Sequence, residues 1–80
     1  MRLDKWLKVS RLIKRRTVAQ EACDGGRVSL NGRTAKPSAD VKQGDIIEIS
    51  FGARSLRAEV LSVQETVKKD DAAAMYRELP

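Results

Sequence analysis

The spacing of apolar residues changes at Gly25 and Gly26, and this change limits the folds open to the chain. Before the two glycines, apolar side chains recur every three or four residues, as on one face of an α-helix. After them, Val28 and Leu30 alternate with polar neighbours, as in a half-buried strand. Adjacent glycines favour a helix end because glycine readily adopts the left-handed conformation found there. The sequence therefore predicts helices first and a sheet afterwards.

Two short helices are predicted before Gly25. In the first, the residues expected on one face are Leu3, Trp6, Leu7 and Ser10. The second is predicted to begin at Thr17, with Gln20 three positions later at the spacing of a capping box. Its packing face is expected to consist of Val18, Ala19, Ala22 and Cys23.

Antiparallel strands are predicted after residue 26. Asn31-Gly32 is a strong signal for a two-residue hairpin turn, with a return strand over 33–36. Further strands are expected over 46–51 and 55–63, and the alanines near the end predict a final helix over 68–79. The predicted fold class is α+β, with two N-terminal helices packed on a small antiparallel sheet and a C-terminal helix.

The length and composition exclude several classes of protein. Eighty residues predict a single domain over 1–80. The chain has no histidine and one cysteine, Cys23, which excludes a disulfide framework, a Cys/His zinc site and a histidine-based catalytic centre. Motifs for nucleophilic catalysis, paired catalytic carboxylates or phosphate-binding loops are also missing. We therefore expect no enzymatic activity, no cofactor and no metal, in a cytosolic protein that does not bind membranes.

The net charge of +5 is distributed unevenly along the chain. Residues 1–36 contain ten basic and three acidic side chains, a net charge of +7. The remaining 44 residues contain six basic and eight acidic side chains, a net charge of −2. Exposed faces that serve only solubility normally mix both signs. The asymmetry therefore predicts a polyanionic partner for the N-terminal half.

Several short motifs resemble the ribosomal protein S4-type RNA-binding domain. They extend over about residues 1–51 and comprise Met1-Arg2-Leu3-Asp4-Lys5-Trp6-Leu7, Ser10-Arg11-Leu12, Arg16-Thr17, Gly26-Arg27-Val28, Val28-Ser29-Leu30-Asn31-Gly32, Lys36-Pro37-Ser38 and Gly44-Asp45. The resemblance implies that the two helices and the adjoining hairpin form an L-shaped unit that docks on structured RNA. This expectation agrees with the charge asymmetry, which does not depend on the resemblance.

The first seventeen residues and the segment 68–76 also resemble the stand-alone members of that family that act in bacterial ribosome-associated quality control. This resemblance implies a protein that binds an obstructed large ribosomal subunit, contacting its rRNA and the peptidyl-tRNA. It further implies support for the factor RqcH, which delivers alanyl-tRNA for C-terminal alanine tailing. We expect the chain to be a monomer. The alternatives are a heat-shock S4-type protein that recycles obstructed subunits, a general RNA chaperone, and an adaptor for an acidic protein.

Arg2 and Arg16 are the leading candidates for RNA contact. Both are expected at the corner between the helices, at positions where the resemblance implies contacts to rRNA and peptidyl-tRNA. Arginine suits this role because its planar guanidinium binds phosphate oxygens in pairs and stacks on bases. Flanking phosphate contacts are expected from Lys5, Lys8, Lys14, Arg15 and Arg27.

Three other residues admit two interpretations each. Asp4 is an acid within a basic stretch, and it either pairs locally near a helix start or accepts a hydrogen bond from RNA. Trp6 is expected in the core, with stacking on a base as the alternative. Cys23 is expected to be a small packing residue, since there is no histidine to activate it.

Overall fold

The structure, a computed structural model, describes residues 1–65 and 67–80, and for residue 69 the backbone only. It contains two α-helices, five strands and one 3-10 helix. In chain order these are α1 (Leu3–Val9), α2 (Arg16–Asp24), β1 (Val28–Leu30), β2 (Arg33–Thr34), β3 (Ile46–Phe51), β4 (Arg54–Val60), the 3-10 helix Lys69–Met75 and β5 (Tyr76–Leu79). The strands form one antiparallel sheet in the order β2-β1-β3-β4-β5. The α+β class is confirmed.

Helix α1 buries the face predicted from the sequence. Leu3, Trp6 and Leu7 are fully buried, and Ser10 closes the helix with its hydroxyl donating to the carbonyl of Leu7 at 3.2 Å. The indole nitrogen of Trp6 donates to the carbonyl of Ser62 at 2.9 Å. Trp6 is therefore a core residue whose one polar atom has a partner, which is the usual arrangement for a buried indole.

Helix α2 differs from the prediction in two respects. It begins at Arg16 after Arg15 as N-cap, and no side chain caps it, so the predicted capping box of Thr17 and Gln20 is wrong. Ala19, Ala22 and Cys23 are buried, but Val18 is 44% exposed. The narrow face of small residues lets α2 pack closely on α1, and Val18 lies beyond the edge of this contact.

The hairpin β1–β2 turns at Asn31-Gly32 as predicted, with positive φ angles of 52° and 84°. Such angles are required by the type I′ turn that suits the twist of a hairpin. The Asn31 amide also donates to the Asp45 carboxylate at 3.1 Å, and its oxygen accepts from the Ile46 backbone at 2.9 Å. These bonds join the hairpin to the turn that precedes β3.

The C-terminal segment is where the structure overturns a prediction. The expected helix over 68–79 is replaced by the 3-10 helix Lys69–Met75 and strand β5, which pairs with β4. Met75 is buried in the core, and its carbonyl accepts from the backbones of Leu61 and Ser62 at 2.8 and 3.1 Å. If residues 76–79 were helical, the backbone groups along the edge of β4 would have no strand to pair with. Pairing with β5 satisfies them.

The chain's first residues are fixed to the loop before β3. The Leu3 backbone donates to the Ala39 carbonyl at 2.8 Å, and the Val41 backbone donates to the Met1 carbonyl at 2.8 Å. The amino group of Met1 also pairs with the Asp40 carboxylate at 2.9 Å. The backbone is therefore hydrogen-bonded on both sides of Arg2, which fixes the point from which the Arg2 side chain projects. Over residues 1–65 and 67–80, no helix combines the length and apolar character needed to cross a membrane.

Candidate nucleic-acid interface

A buried carboxylate lies between the two helices, at the corner where the leading arginines meet. Asp4 is fully buried and accepts hydrogen bonds from two atoms of Arg2, Nε at 3.2 Å and Nη2 at 3.3 Å. Arg16 donates to it from Nη2 at 3.3 Å, and its Nε lies 3.3 Å from the other oxygen. Gln20 adds a bond of 2.9 Å from its amide nitrogen. We call these four residues the Asp4 cluster.

The Asp4 cluster keeps its carboxylate ionised despite burial. Burial acts to raise the pKa of Asp4, but hydrogen bonds from Gln20, Arg16, Arg2 and the Lys5 backbone outweigh it and hold the pKa below its ordinary value. The surrounding donors therefore stabilise the ionised form of the Asp4 carboxyl group. Of the two readings of Asp4, the structure supports local pairing, because the carboxylate is covered by protein groups.

The side chains of Arg2 and Arg16 are about half exposed, although each guanidinium is hydrogen-bonded to Asp4. Their side chains are 53% and 42% exposed, respectively. A guanidinium has five N–H donors. Hydrogen bonds to Asp4 use two donors of Arg2 and one of Arg16, so each arginine keeps further donors for another acceptor. The structure therefore brings the two leading candidates together on one carboxylate. Direct contact with RNA remains a prediction.

The five flanking candidates differ in whether their charged groups are paired with an acidic side chain. Lys5 donates to the Glu65 carboxylate at 3.1 Å, which reduces its availability for phosphate. The other four are exposed, and none forms an ion pair with a described side chain; they are Lys8, Lys14, Arg15 and Arg27. Exposed cations without an acidic partner are the groups that most readily bind phosphate oxygens.

The sheet pairs two of the three arginines in residues 37–80 with acidic side chains. Arg57 faces Glu48 across β3 and β4, with 3.5 Å between nitrogen and oxygen. Arg77 pairs with Glu59 directly across β4 and β5. Cross-strand pairing of opposite charges removes these guanidiniums from the positive surface. Arg57 and Arg77 are therefore less available to a polyanionic partner than the four exposed cations named above.

Arg11 lies in the Ser10-Arg11-Leu12 motif but was not among the predicted RNA contacts. It is exposed and has a φ of 64°, a left-handed conformation that is unfavourable for a side chain with a Cβ. Its backbone donates to the Lys8 carbonyl at 3.1 Å, so the turn after α1 holds this geometry. The sequence signal that could have identified Arg11 is its position directly after Ser10, the residue that ends α1. Left-handed conformations at functional sites often fix a side chain's direction.

Cys23 is chemically quiet in this structure. It is buried, and burial together with the nearby carboxylates of Asp4 and Asp24 raises the pKa of its thiol to about 11. A thiol with such a pKa holds little thiolate at neutral pH and is a poor nucleophile. Within the part of the chain that the structure describes, histidine, cysteine and carboxylate side chains form no group of three able to hold a metal ion.

Comparison with known proteins agrees with this arrangement. The S4 domain model matches residues 1–47, which contain both helices and the hairpin. The chain is 55% identical over 76 residues to the RQC P-site tRNA stabilizing factor of Bacillus subtilis, covering 95% of this chain and 88% of that protein. It is 57% identical to the protein of the same name from Streptococcus pneumoniae, covering 95% and 86%.

A solved structure has the same fold. The trimeric structure of heat shock protein 15 from Vibrio cholerae superimposes with a TM-score of 0.90 at 34% sequence identity, over 99% of this chain and 81% of that one. The match therefore includes β4, the 3-10 helix and β5, which lie beyond the S4 model. Taken with the helices, the hairpin and the basic corner, these similarities show that the chain belongs to the S4 domain family.

Proposed function

We propose that this chain binds the large ribosomal subunit during ribosome-associated quality control and stabilises peptidyl-tRNA there by contacting tRNA and rRNA together. The observation that carries the proposal is the Asp4 cluster, which presents Arg2 and Arg16 with outward donors that have no partner among the described residues. The names of the Bacillus subtilis and Streptococcus pneumoniae relatives support the assignment to tRNA.

The contribution of the chain to this process is binding energy. Fixing the guanidiniums before RNA arrives lowers the entropy lost on binding, as preorganised contacts do. A protein that binds one tRNA position more tightly than others shifts the tRNA toward that position. The peptidyl-transferase centre of the subunit would then supply the chemistry, and the chain would not act as an enzyme. This role places it in the cytoplasm.

We further propose that the chain supports alanine tailing that depends on RqcH. A peptidyl-tRNA held in place between successive additions allows each new alanyl-tRNA to react, whereas a drifting tRNA interrupts elongation. The expected effect of the chain is therefore longer tails, with no requirement that it contact the incoming amino acid.

A reconstituted tailing reaction tests the proposal. Adding the wild-type chain should lengthen the alanine tails on obstructed large subunits, and adding Arg16→Ala should not. Arg57→Ala is the matched control, since it removes another half-exposed arginine that is paired with Glu48. If the tails have the same length with and without the wild-type chain, the tailing role is wrong.

The fold match to heat shock protein 15 favours one alternative, in which the chain recycles obstructed subunits without affecting tailing. Deletion of the gene separates the two functions. The tailing role predicts shortened alanine tails in the deletion strain, whereas the recycling role predicts normal tails and slow recovery of free large subunits after heat.

A further inference from the structure

Phe51 is exposed on the face of the sheet that the helices should cover. It follows Ile47 and Ile49 at two-residue intervals on β3, and both isoleucines are buried in the core. Side chains at this spacing share one face of a strand. Phe51 is nevertheless 50% exposed. The helical cover of the sheet therefore ends before the last apolar position of β3.

An open cavity of about 260 Å³ lies at this uncovered end, and we call it the Phe51 pocket. Its apolar wall comes from the segment between α1 and α2, from α2 itself and from β3. The apolar lining includes Leu12, Ile13, Val18, Ala22 and Phe51. Pockets for drug-sized ligands begin at about 300 Å³, so this volume suits one small ring system. Val18, the residue that departed from its predicted packing role, forms part of this wall.

Cations lie beside the apolar wall. Arg27 lines the pocket, and its carbonyl accepts from the backbone of Ser50, the residue before Phe51, at 2.8 Å. Arg54 is exposed and directly opposite Phe51 in the β3–β4 register, on the same face. A half-exposed aromatic ring with basic residues at the same end of the sheet matches the usual site for an unstacked base, where the ring stacks on the base and the cations bind phosphate.

The pocket is also continuous with the basic surface. Leu12 and Ile13 lie between Arg11 and Lys14 in the chain, and Val18 lies on the helix that begins at Arg16. An RNA that contacts these cations passes the mouth of the pocket. An apolar protein side chain would fill the cavity but would make no use of the surrounding positive charge.

We propose that the Phe51 pocket receives an unpaired nucleobase of the RNA, stacked on the Phe51 ring, with Arg27 and Arg54 at the adjoining phosphates. The proposal rests on the proposed RNA-binding function and assigns it a second contact region beyond the Asp4 cluster. It identifies the partner as RNA with at least one unstacked base, rather than a continuous duplex.

Binding to large subunits that carry peptidyl-tRNA tests the pocket. Phe51→Leu keeps an apolar side chain but removes the aromatic face, and it should weaken binding about 5- to 150-fold with an unchanged dependence on salt. Phe51→Trp should retain binding. Leu61→Ala is the control, because Leu61 is 40% exposed and does not line the pocket. Wild-type affinity for Phe51→Leu would overturn the proposal.

Site-specific cross-linking identifies the occupant directly. Phe51 is the only phenylalanine in the sequence, and p-benzoylphenylalanine at this position should cross-link to a nucleotide of rRNA or tRNA on the same subunits. A cross-link to a ribosomal protein or to a second copy of the chain would refute the nucleobase assignment. If the wild-type chain does not bind the subunits at all, the proposed function fails rather than the pocket.

Discussion

The carboxylate of Asp4 lies beneath the two arginines that we propose as the main RNA contacts. It is fully buried, and its oxygens accept from Arg2, Arg16 and Gln20. A carboxylate in this position orients the guanidiniums while remaining inaccessible to RNA. Asp4 is thus a positioning residue for the proposed interface, and its effects should differ from those of a surface acid.

Asp4→Asn should change both stability and its pH dependence. Losing the charged acceptor should lower the free energy of unfolding at pH 7 by about 1–3 kcal/mol and weaken RNA binding. Because the folded pKa of Asp4 lies below its unfolded value of 3.8, the unfolded chain takes up the proton first as pH falls. The carboxylate's stabilisation is therefore complete well above that value and decreases as the pH falls through the folded pKa.

Urea unfolding at pH 7, 4 and 3 measures this contribution. Hydrogen bonding to the Met1 amino group also lowers the pKa of Asp40, so Asp40→Asn is the necessary comparison. The acid-sensitive part of stability should shrink in Asp4→Asn. Equal losses between pH 7 and 3 in wild type and Asp4→Asn would contradict the account.

Arg11 should show opposite effects on folding and binding. Its left-handed conformation costs about 1–2 kcal/mol for a residue with a Cβ. Arg11→Gly relieves this strain but loosens the unfolded chain, so stability should stay equal or rise by up to about 1 kcal/mol. RNA affinity should fall because an exposed cation is lost. Thermal melts and subunit binding measure the two effects, and wild-type affinity of the glycine variant would remove Arg11 from the interface.

At the scale of elements, the C-terminal segment completes the core that the helices and hairpin begin. The 3-10 helix brings Ala72 and Met75 against the core, and β5 covers the edge of β4. The S4 domain model ends at residue 47, before this segment. The part of the chain beyond the proposed interface therefore stabilises the fold that presents it.

Met75→Ala should destabilise the fold by about 2–5 kcal/mol, because a buried methionine is replaced by a much smaller side chain. Ala74→Gly, at an exposed neighbouring position, is the control and should cost no more than about 1 kcal/mol. Chemical denaturation of the two variants gives the comparison. A Met75→Ala protein as stable as its control would show that the segment is not part of the cooperative unit.

At the scale of the whole molecule, the net positive charge lies in the first half of the chain. Residues 1–36 carry the excess positive charge, whereas Arg57 and Arg77 are paired across strands. With about four to six phosphate contacts, the logarithm of subunit affinity should fall against the logarithm of salt concentration with a slope of about −3 to −5. Arg16→Ala should reduce the slope by about one, and Arg57→Ala should not. A slope near zero for the wild-type chain would contradict an RNA interface.

We predict from the sheet edges that the chain is a monomer in solution. One edge strand, β2, has two residues, and the other, β5, carries Arg77 and Glu78. Short or charged edge strands oppose edge-to-edge association. We expect sedimentation equilibrium to give a mass near 8.9 kDa. A mass three times larger would instead match the trimeric arrangement described for heat shock protein 15.

Much of the N-terminal half follows from the sequence because its interactions are local. The face of α1 was predictable from three- and four-residue spacing, and the Asn31-Gly32 turn from two residues that tolerate positive φ. The charge asymmetry was also readable directly. The candidate arginines followed from this asymmetry together with a family resemblance, and their meeting at the corner was expected.

The tertiary structure decided what depends on partners distant in the chain. Gln20 hydrogen-bonds Asp4 instead of capping its helix, and residues 76–79 form a strand although nearby alanines favour a helix. Phe51 has the spacing of a core residue but lies beyond the helical cover. Local sequence fixes the preferences of a segment. Three tertiary features decide which preference prevails: the edge of β4, the buried charge of Asp4 and the limited length of the two helices. None of them exists until distant segments have packed together.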